Sequence, residues 1–350
     1  MATTAARTLT RRELNRALLA RQLLLERSAA TIPRALERIG GLQAQYAPSM
    51  YIGLWTRLED FRRDAVTRAL ERRKVVQGTL MRVTIHLVSA ADYWPLALAI
   101  RDARREWWLR AHRGKPSPRE VEAAARRLRP RLAKGPLRRA EIDELLGKPG
   151  SALINGLGMY VDLVRAPPSG TWEHRRADLY ALAEEWLEPP DVSPESAREH
   201  LVRRYLSGFG PAARNEIADW AGVPVGELAP VLERLRLRRF RSEDGEELLD
   251  LPRAPLPDAG TSAPVRFLPT WDATLLVHTR RTGILPEEYR PRVFNVKTPQ
   301  SVPTFLVDGS VAGSWRYERG RVELDPFRKL DRATQRELRD EAERLVAFHA

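Results

Sequence analysis

The run Gly40-Gly41-Leu42-Gln43-Ala44-Gln45 sets two glutamines one residue apart just after a short amphipathic stretch. Side chains two apart point the same way in an extended segment and diverge by about 200° on a helix. The glycine pair and Pro48 favour a non-helical course, on which both amides converge and together offer carbonyl acceptors and N–H donors to one small volume. Such a pair can hold a water molecule and present oxygen dipoles to a developing positive charge. A blander use of the same residues is a polar turn that satisfies helix-end carbonyls.

Two further residues could support chemistry. His86 shares one face of a β-branched stretch with Arg82 and Thr84, because the three occupy alternate positions; its alternative role is that of a hydrogen-bonded sheet histidine. Asp272 follows Trp271 in a strand-like context, where a carboxylate either orients an arginine and stabilises positive charge or forms a structural salt bridge. Other chemistries are excluded by composition. The chain has no cysteine, which removes disulfides, thiolate-bound zinc, iron–sulfur clusters and thiol nucleophiles. The six histidines are scattered without metal-ligand spacing, and no glycine-rich phosphate loop is present, so neither a metal nor another cofactor is expected.

Lys plus Arg number 59 against 46 acidic residues, a net charge of +13. Such a surplus fits a polyanionic partner, nucleic acid first and an acidic membrane surface second. Only six of the 59 are lysines, which codon bias in a GC-rich genome explains, so the arginine preference itself carries little. The local pile-up carries more: 14 basic and 4 acidic residues fall between Arg101 and Ala140. A solvated helix face is the competing account. The candidate phosphate contacts are Arg101, Arg104, Arg105 and Arg110, then Arg138 and Arg139, with Arg82 and Thr84 from the strand pair. No apolar run approaches the ~18 residues that span a bilayer, and Met1 to Arg16 lacks the apolar core of a secretory signal, so the expected compartment is the cytoplasm and no membrane is engaged.

The elements that must position these residues read as follows. Thr10 to Glu13 is a capping box opening a helix over about 11–26. A short helix at Thr31 and Pro33 stops at Gly40-Gly41, a third helix follows Pro48-Ser49, and a fourth covers 64–73. The stretch 74–88 reads as two strands with Gly78 and Arg82 near the bend. Helices followed by a strand pair give the order of a winged helix-turn-helix. That order returns at 137–170, with a turn at 147–150, Ser151 as helix cap, a strand over 161–165 and Pro167 to Gly170 as the wing. It returns again from Pro211 to Trp220, through Gly222 and a helix at 225–234, to strands around Glu243-Asp244-Gly245. From Val265 the pattern becomes strands, with a hairpin signal at Asp308-Gly309, a turn at Glu318-Arg319-Gly320, and a closing amphipathic helix that carries Leu338, Ala342, Leu345 and Val346. Proline-rich stretches at 114–118, 189–194 and 252–264 separate the units. The expected fold class is α+β: three tandem winged helices, over 1–115, 116–192 and 193–255, then a small antiparallel β domain over 256–350.

Four segments together resemble the winged-helix DNA glycosylases: Gly40 to Gln45, Thr84-Ile85-His86-Leu87-Val88, Leu268-Pro269-Thr270-Trp271-Asp272, and Val307-Asp308-Gly309 through Gly313-Ser314-Trp315-Arg316. That superfamily includes the azinomycin-resistance glycosylase and bacterial enzymes that unhook interstrand crosslinks. The resemblance runs over nearly the whole chain. It implies a C-shaped channel for double-stranded DNA, formed by three winged helices and the C-terminal β domain and lined by a glutamine–aliphatic–glutamine motif whose glutamines map onto Gln43 and Gln45. One branch has aspartate in the second place, so Gln45 groups this chain with the azinomycin-resistance branch. Ala44 is smaller than the family's usual central aliphatic.

The residues agree with that chemistry. Glycosidic hydrolysis ordinarily uses two carboxylates, one protonating the leaving group and one activating water, and no paired carboxylates stand near Gln43. A purine alkylated at N7 is already cationic and leaves as a neutral base, so the ~10²- to 10⁴-fold supplied by a general acid is not required. The expectation is a monofunctional DNA glycosylase, acting as a monomer on labile, charged lesions, with bulky adducts and crosslinks as candidates, in DNA repair or self-resistance to a genotoxin. The competing expectation is a non-enzymatic regulator or architectural protein on the same scaffold, although regulators usually carry one such motif per chain and dimerise on paired half-sites. A third, protein assembly through winged helices, leaves the basic segment from Arg101 to Arg139 unexplained.

Overall fold

The computed structural model describes residues 7–148, 150–188, 191–276, 283–294 and 301–350. Met1 to Ala6, Pro149 of the expected 147–150 turn, and Pro189-Pro190 of the second expected boundary lie outside them. The architecture is a mixture of helices and sheets. A two-residue strand β1 (Thr8–Leu9) leads into α1 (Arg11–Arg21), where Thr10 and Glu13 form the expected capping box. Helix α1 stops short of Glu26 because the backbone turns left-handed at Leu23 and buries Leu23 and Leu24. Next come α2 (Ile32–Ile39), β2 (Leu42–Gln43), α3 (Ala47–Trp55), α4 (Arg63–Glu71), β3 (Val75–Thr79) and β4 (Ile85–Ser89). Arg82 sits in a tight turn between the last two strands, whereas Gly78 lies inside β3 rather than at the bend.

A 22-residue helix, α5 (Ala90–Ala111), then crosses to α6 (Pro118–Leu132), β5 (Leu137–Arg138), α7 (Arg139–Leu145), α8 (Ser151–Tyr160), β6 (Leu163–Arg165), β7 (Leu179–Leu182) and α9 (Ala183–Trp186). Gly150, not Ser151, occupies the cap of α8. The strands of this region do not stand apart from those of the first. They join β2, β3 and β4 in one six-stranded sheet ordered β2-β4-β3-β6-β7-β5, with Gln77 opposite Arg165 and Gly78 opposite Val164 across the junction. Edge pairing of β3 with β6 satisfies backbone groups that a free wing would leave to water.

The chain continues as α10 (Pro194–Phe209), α11 (Arg214–Ala221), α12 (Val225–Arg234), β8 (Arg238–Ser242) and β9 (Glu247–Asp250). Gly222 ends α11 in the left-handed conformation, as expected, but α11 begins later than Pro211 because Ala212 bridges to Leu249. Strand β1 pairs parallel with β8, tying the N-terminal segment to this hairpin. A third sheet, β10 (Arg266–Leu268), β11 (Thr304–Val307), β12 (Ser310–Glu318) and β13 (Arg321–Pro326), is antiparallel throughout. Asp308 and Gly309 form its two-residue hairpin loop with both φ positive, the turn that matches strand twist. Short helices α13 (Ala273–Leu276) and α14 (Arg290–Val293) lie between β10 and β11, and α15 (Arg332–His349) closes the chain. Among the described residues no helix is long and apolar enough to cross a membrane.

One core packs α5, α10, α11 and α12 against a face of the six-stranded sheet, and a second packs α2, α3 and α4 with the C-terminal sheet and α15. Buried ion pairs cross between distant parts of the chain. Arg21 grips Asp250 at 2.7 and 3.0 Å, and Arg57 grips Asp272 at 2.9 and 3.0 Å, each as a two-pronged contact. The second pair fastens the end of α3 to the segment after β10.

Candidate active site

The glutamine segment owes its course to Gly40 and Gly41, with φ of 79° and 83°. Both amides return to the Leu36 carbonyl and close α2, and two successive left-handed residues are readily accessible only to glycine. The chain then runs extended. Leu42 pairs with Leu87 and Gln43 with His86 across β2 and β4, and the Ala44 amide donates to the Ile85 carbonyl at 2.7 Å. Leu42 and Ala44 enter the core while the two glutamines take the alternate positions, which is the arrangement expected from their spacing.

The amides converge: Gln43 Nε2 donates to Gln45 Oε1. They differ in exposure, since Gln43 is 6% exposed while Gln45 is open to solvent. Gln45 lines a cleft whose walls come from β3, α5, α8 and β6. Among the described lining residues Asp162 is the one carboxylate, and Arg101 holds it at 2.6 Å. Among the described residues no cluster of three or more histidine or carboxylate side chains is placed to hold a metal ion.

His86 is buried, and its Nδ1–H donates to the Thr84 carbonyl at 3.0 Å. Burial, reinforced by the charge of Arg82, pushes its pKa down to about 3, so the ring is neutral at physiological pH. It stands beside Gln43 in the sheet register and is not a proton donor to the cleft. Asp272 is also buried. It precedes α13 rather than lying in a strand, and besides Arg57 it accepts the Thr274 amide at 3.0 Å and hydroxyl at 2.8 Å. These contacts tie it into a buried ion pair with Arg57.

The basic candidates separate by placement. Arg110 and Arg138 are exposed, Arg110 beside Glu106 and Arg138 beside Asp178. Arg105 donates to the Met159 carbonyl at 2.6 Å, and Arg139 pairs with Asp143 at 3.0 Å. Arg82 is turned away from any surface strand: its guanidinium donates to the Trp220 carbonyl near the end of α11, and Thr84 bonds the Met81 carbonyl at 3.0 Å. Arg104, only 5% exposed, donates to the Thr79 carbonyl at 2.6 Å on the cleft wall. Sequence spacing could not foresee this, because α5 packs its Arg104 side against the ends of β3 and β6. Arg165, Asp162 and the half-exposed Trp107 also line the cleft and escaped the sequence reading. The one available signal was a basic residue closing a short apolar strand at Arg165.

An exposed amide, held by a buried one, at a cleft whose described lining carries one carboxylate, already ion-paired, suits bond hydrolysis without acid catalysis. Residues 36–348 match the family model for AlkZ-like DNA glycosylases, and the chain belongs to that family: it is a DNA glycosylase, a hydrolase of N-glycosyl bonds in DNA repair. Among solved structures it is similar to the Streptomyces sahachiroi DNA glycosylase AlkZ, with a TM-score of 0.82 and 20% identity over 97% of this chain and 96% of that one, a likeness of fold. No curated protein sequence matches it. Family membership replaces the competing expectation of a non-enzymatic regulator.

Proposed function

We propose that this glycosylase removes cationic N7-alkylated purines from double-stranded DNA, with bulky adducts and interstrand crosslinks among its lesions, in DNA repair or self-resistance to a genotoxin. The observation that carries the reading is the Gln43–Gln45 amide pair at a cleft whose described lining offers no free carboxylate. Gln45 holds the attacking water at C1′, and Gln43 fixes the orientation of Gln45. The C1′–N9 bond breaks with its electron pair going to the purine, which leaves neutral. The water oxygen bonds to C1′ and its proton passes to solvent. Amide oxygens facing the oxocarbenium ion stabilise it most where bulk water is excluded. Neutral amides are weak bases, so normal bases and uracil, which need leaving-group protonation, stay intact.

In this reading the helix–helix–hairpin runs within 1–115, 116–192 and 193–255 serve as three winged helices, and with the 256–350 β domain they embrace duplex DNA in a C-shaped channel. The exposed Arg110 and Arg138 contact phosphates, while His86 and Asp272 support the site from within the fold. The enzyme works as a monomer in the cytoplasm, associated with the nucleoid. Incubation with duplex carrying N7-alkylguanine, followed by alkali, tests the reading: strand cleavage at the lesion supports it, and intact strands under conditions where the duplex is bound refute it.

A further inference from the structure

Two arginines on the cleft wall share one anchor, and among the described residues neither has a carboxylate within hydrogen-bond distance: Arg104 has Asp162 at 3.8 Å, and Arg165 stacks over the Tyr180 ring. Arg104 Nη1 donates to the Thr79 carbonyl at 2.6 Å, and Arg165 Nη1 donates to the Thr79 hydroxyl at 2.8 Å. The Nε of each is buried without a hydrogen-bond partner. Asp162 is the nearby carboxylate, and its close contact is to Arg101, while Arg104 reaches it only at 3.8 Å. Arg101 and Arg104 thus share a single carboxylate. Burial lowers the pKa of both Arg104 and Arg165, as befits cations short of a compensating anion. Leaving a guanidinium donor buried and unpaired is costly, and fold economy alone would favour a second carboxylate here.

We infer that Arg104 and Arg165 form an anion site in the cleft that binds a DNA phosphodiester next to the target nucleotide. The inference rests on the glycosylase reading for the identity of the anion, because Gln45 lines the same cleft. Guanidiniums match phosphate oxygens with paired donors, and a charge-assisted contact of this kind is stronger than a neutral one. Thr79 keeps both forks in place before DNA arrives, so little side-chain ordering accompanies binding. A phosphate gripped at this point would hold the extruded nucleotide's backbone while its sugar meets Gln45. Arg104 and Arg165 are positioning residues in this scheme.

The test substitutes charge on the DNA and on the protein together. A methylphosphonate linkage is stepped through the positions flanking N7-methylguanine, and single-turnover excision is measured for the wild type, Arg165→Gln and Arg165→Lys. The same series is read as affinity for duplex holding a tetrahydrofuran abasic-site analogue, which needs no excision and therefore separates this site from the lesion assignment. Neutralising one particular linkage should weaken wild-type binding, and slow any excision, by about tenfold or more. Arg165→Gln should show that loss on unmodified DNA and no further loss at that linkage, and Arg165→Lys should recover part of it. Wild-type binding indifferent to every linkage, or an equal penalty in Arg165→Gln, would overturn the inference. Linkage-specific binding without excision of N7-methylguanine would uphold the phosphate site and reject only the lesion.

Discussion

Gln43 donates its side-chain N–H to the Oε1 of Gln45, so a buried amide holds an exposed one in place at the edge of the cleft. The two glutamines are therefore unequal partners: Gln45 faces the reaction and Gln43 sets its rotamer. Gln43 is in turn fixed by the β2–β4 pairing that places it beside His86.

Gln45→Ala should lower single-turnover excision about 100-fold, the usual cost of one oriented dipole, while affinity for undamaged duplex stays within about 1 kcal/mol. Gln43→Ala should lose nearly as much through misorientation of Gln45, and the double variant should be little worse than the more damaging single one. Additive losses would show that the two amides act independently.

Breaking the Arg57–Asp272 pair should affect stability before chemistry. Asp272→Ala leaves a fully buried guanidinium uncompensated, at a cost of about 3–5 kcal/mol. Urea denaturation should show a lower midpoint, with rates per folded molecule largely retained. An unchanged midpoint together with lost excision would instead give Asp272 a place in the reaction.

These outcomes bear on what could be read from the chain alone. Local signals were legible: the Thr10–Glu13 capping box, the glycine pair that turns α2 into β2, and the Asp308-Gly309 hairpin each depend on a few adjacent residues. So was the convergence of the glutamines, which follows from strand alternation. Long-range pairing was not legible. Nothing in the spacing says that β3 joins β6, that Asp272 meets a residue 215 positions earlier, or that Arg104 turns inward from a basic helix while Arg110 stays out. Charge runs report composition, and packing decides which charges remain at the surface.

Acid should destabilise the protein partly through His86. The folded ring has its pKa depressed to about 3, below the unfolded value of about 6.5, so the unfolded chain binds the extra proton between those pH values. The contribution is fully present above about pH 6.5 and declines as pH falls toward 3, with a slope of up to about 1.4 kcal/mol per pH unit. His349, lowered by burial to about 4, adds in the same direction. Urea midpoints between pH 4.5 and 7 should show a steeper decline for the wild type than for His86→Gln. Parallel curves would contradict the buried neutral ring.

Undamaged duplex should bind with steep salt dependence and little sequence preference. Arg110→Ala and Arg138→Ala should each flatten the log–log slope by about 0.9 if each removes one phosphate contact. Fluorescence anisotropy across a salt series measures this directly. Slopes equal to that of the wild type would place the phosphate track elsewhere.

The central claim is that oriented amides suffice because the leaving group carries its own positive charge. Single-turnover excision, with enzyme in excess, should be compared on matched duplexes bearing N7-methylguanine or uracil, for the wild type and for the Gln43→Ala/Gln45→Ala double variant. The account predicts release of N7-methylguanine by the wild type, a loss of about 100-fold in the variant, and no release of uracil by either. Excision of uracil by the wild type, or of N7-methylguanine by the double variant at the wild-type rate, would contradict it.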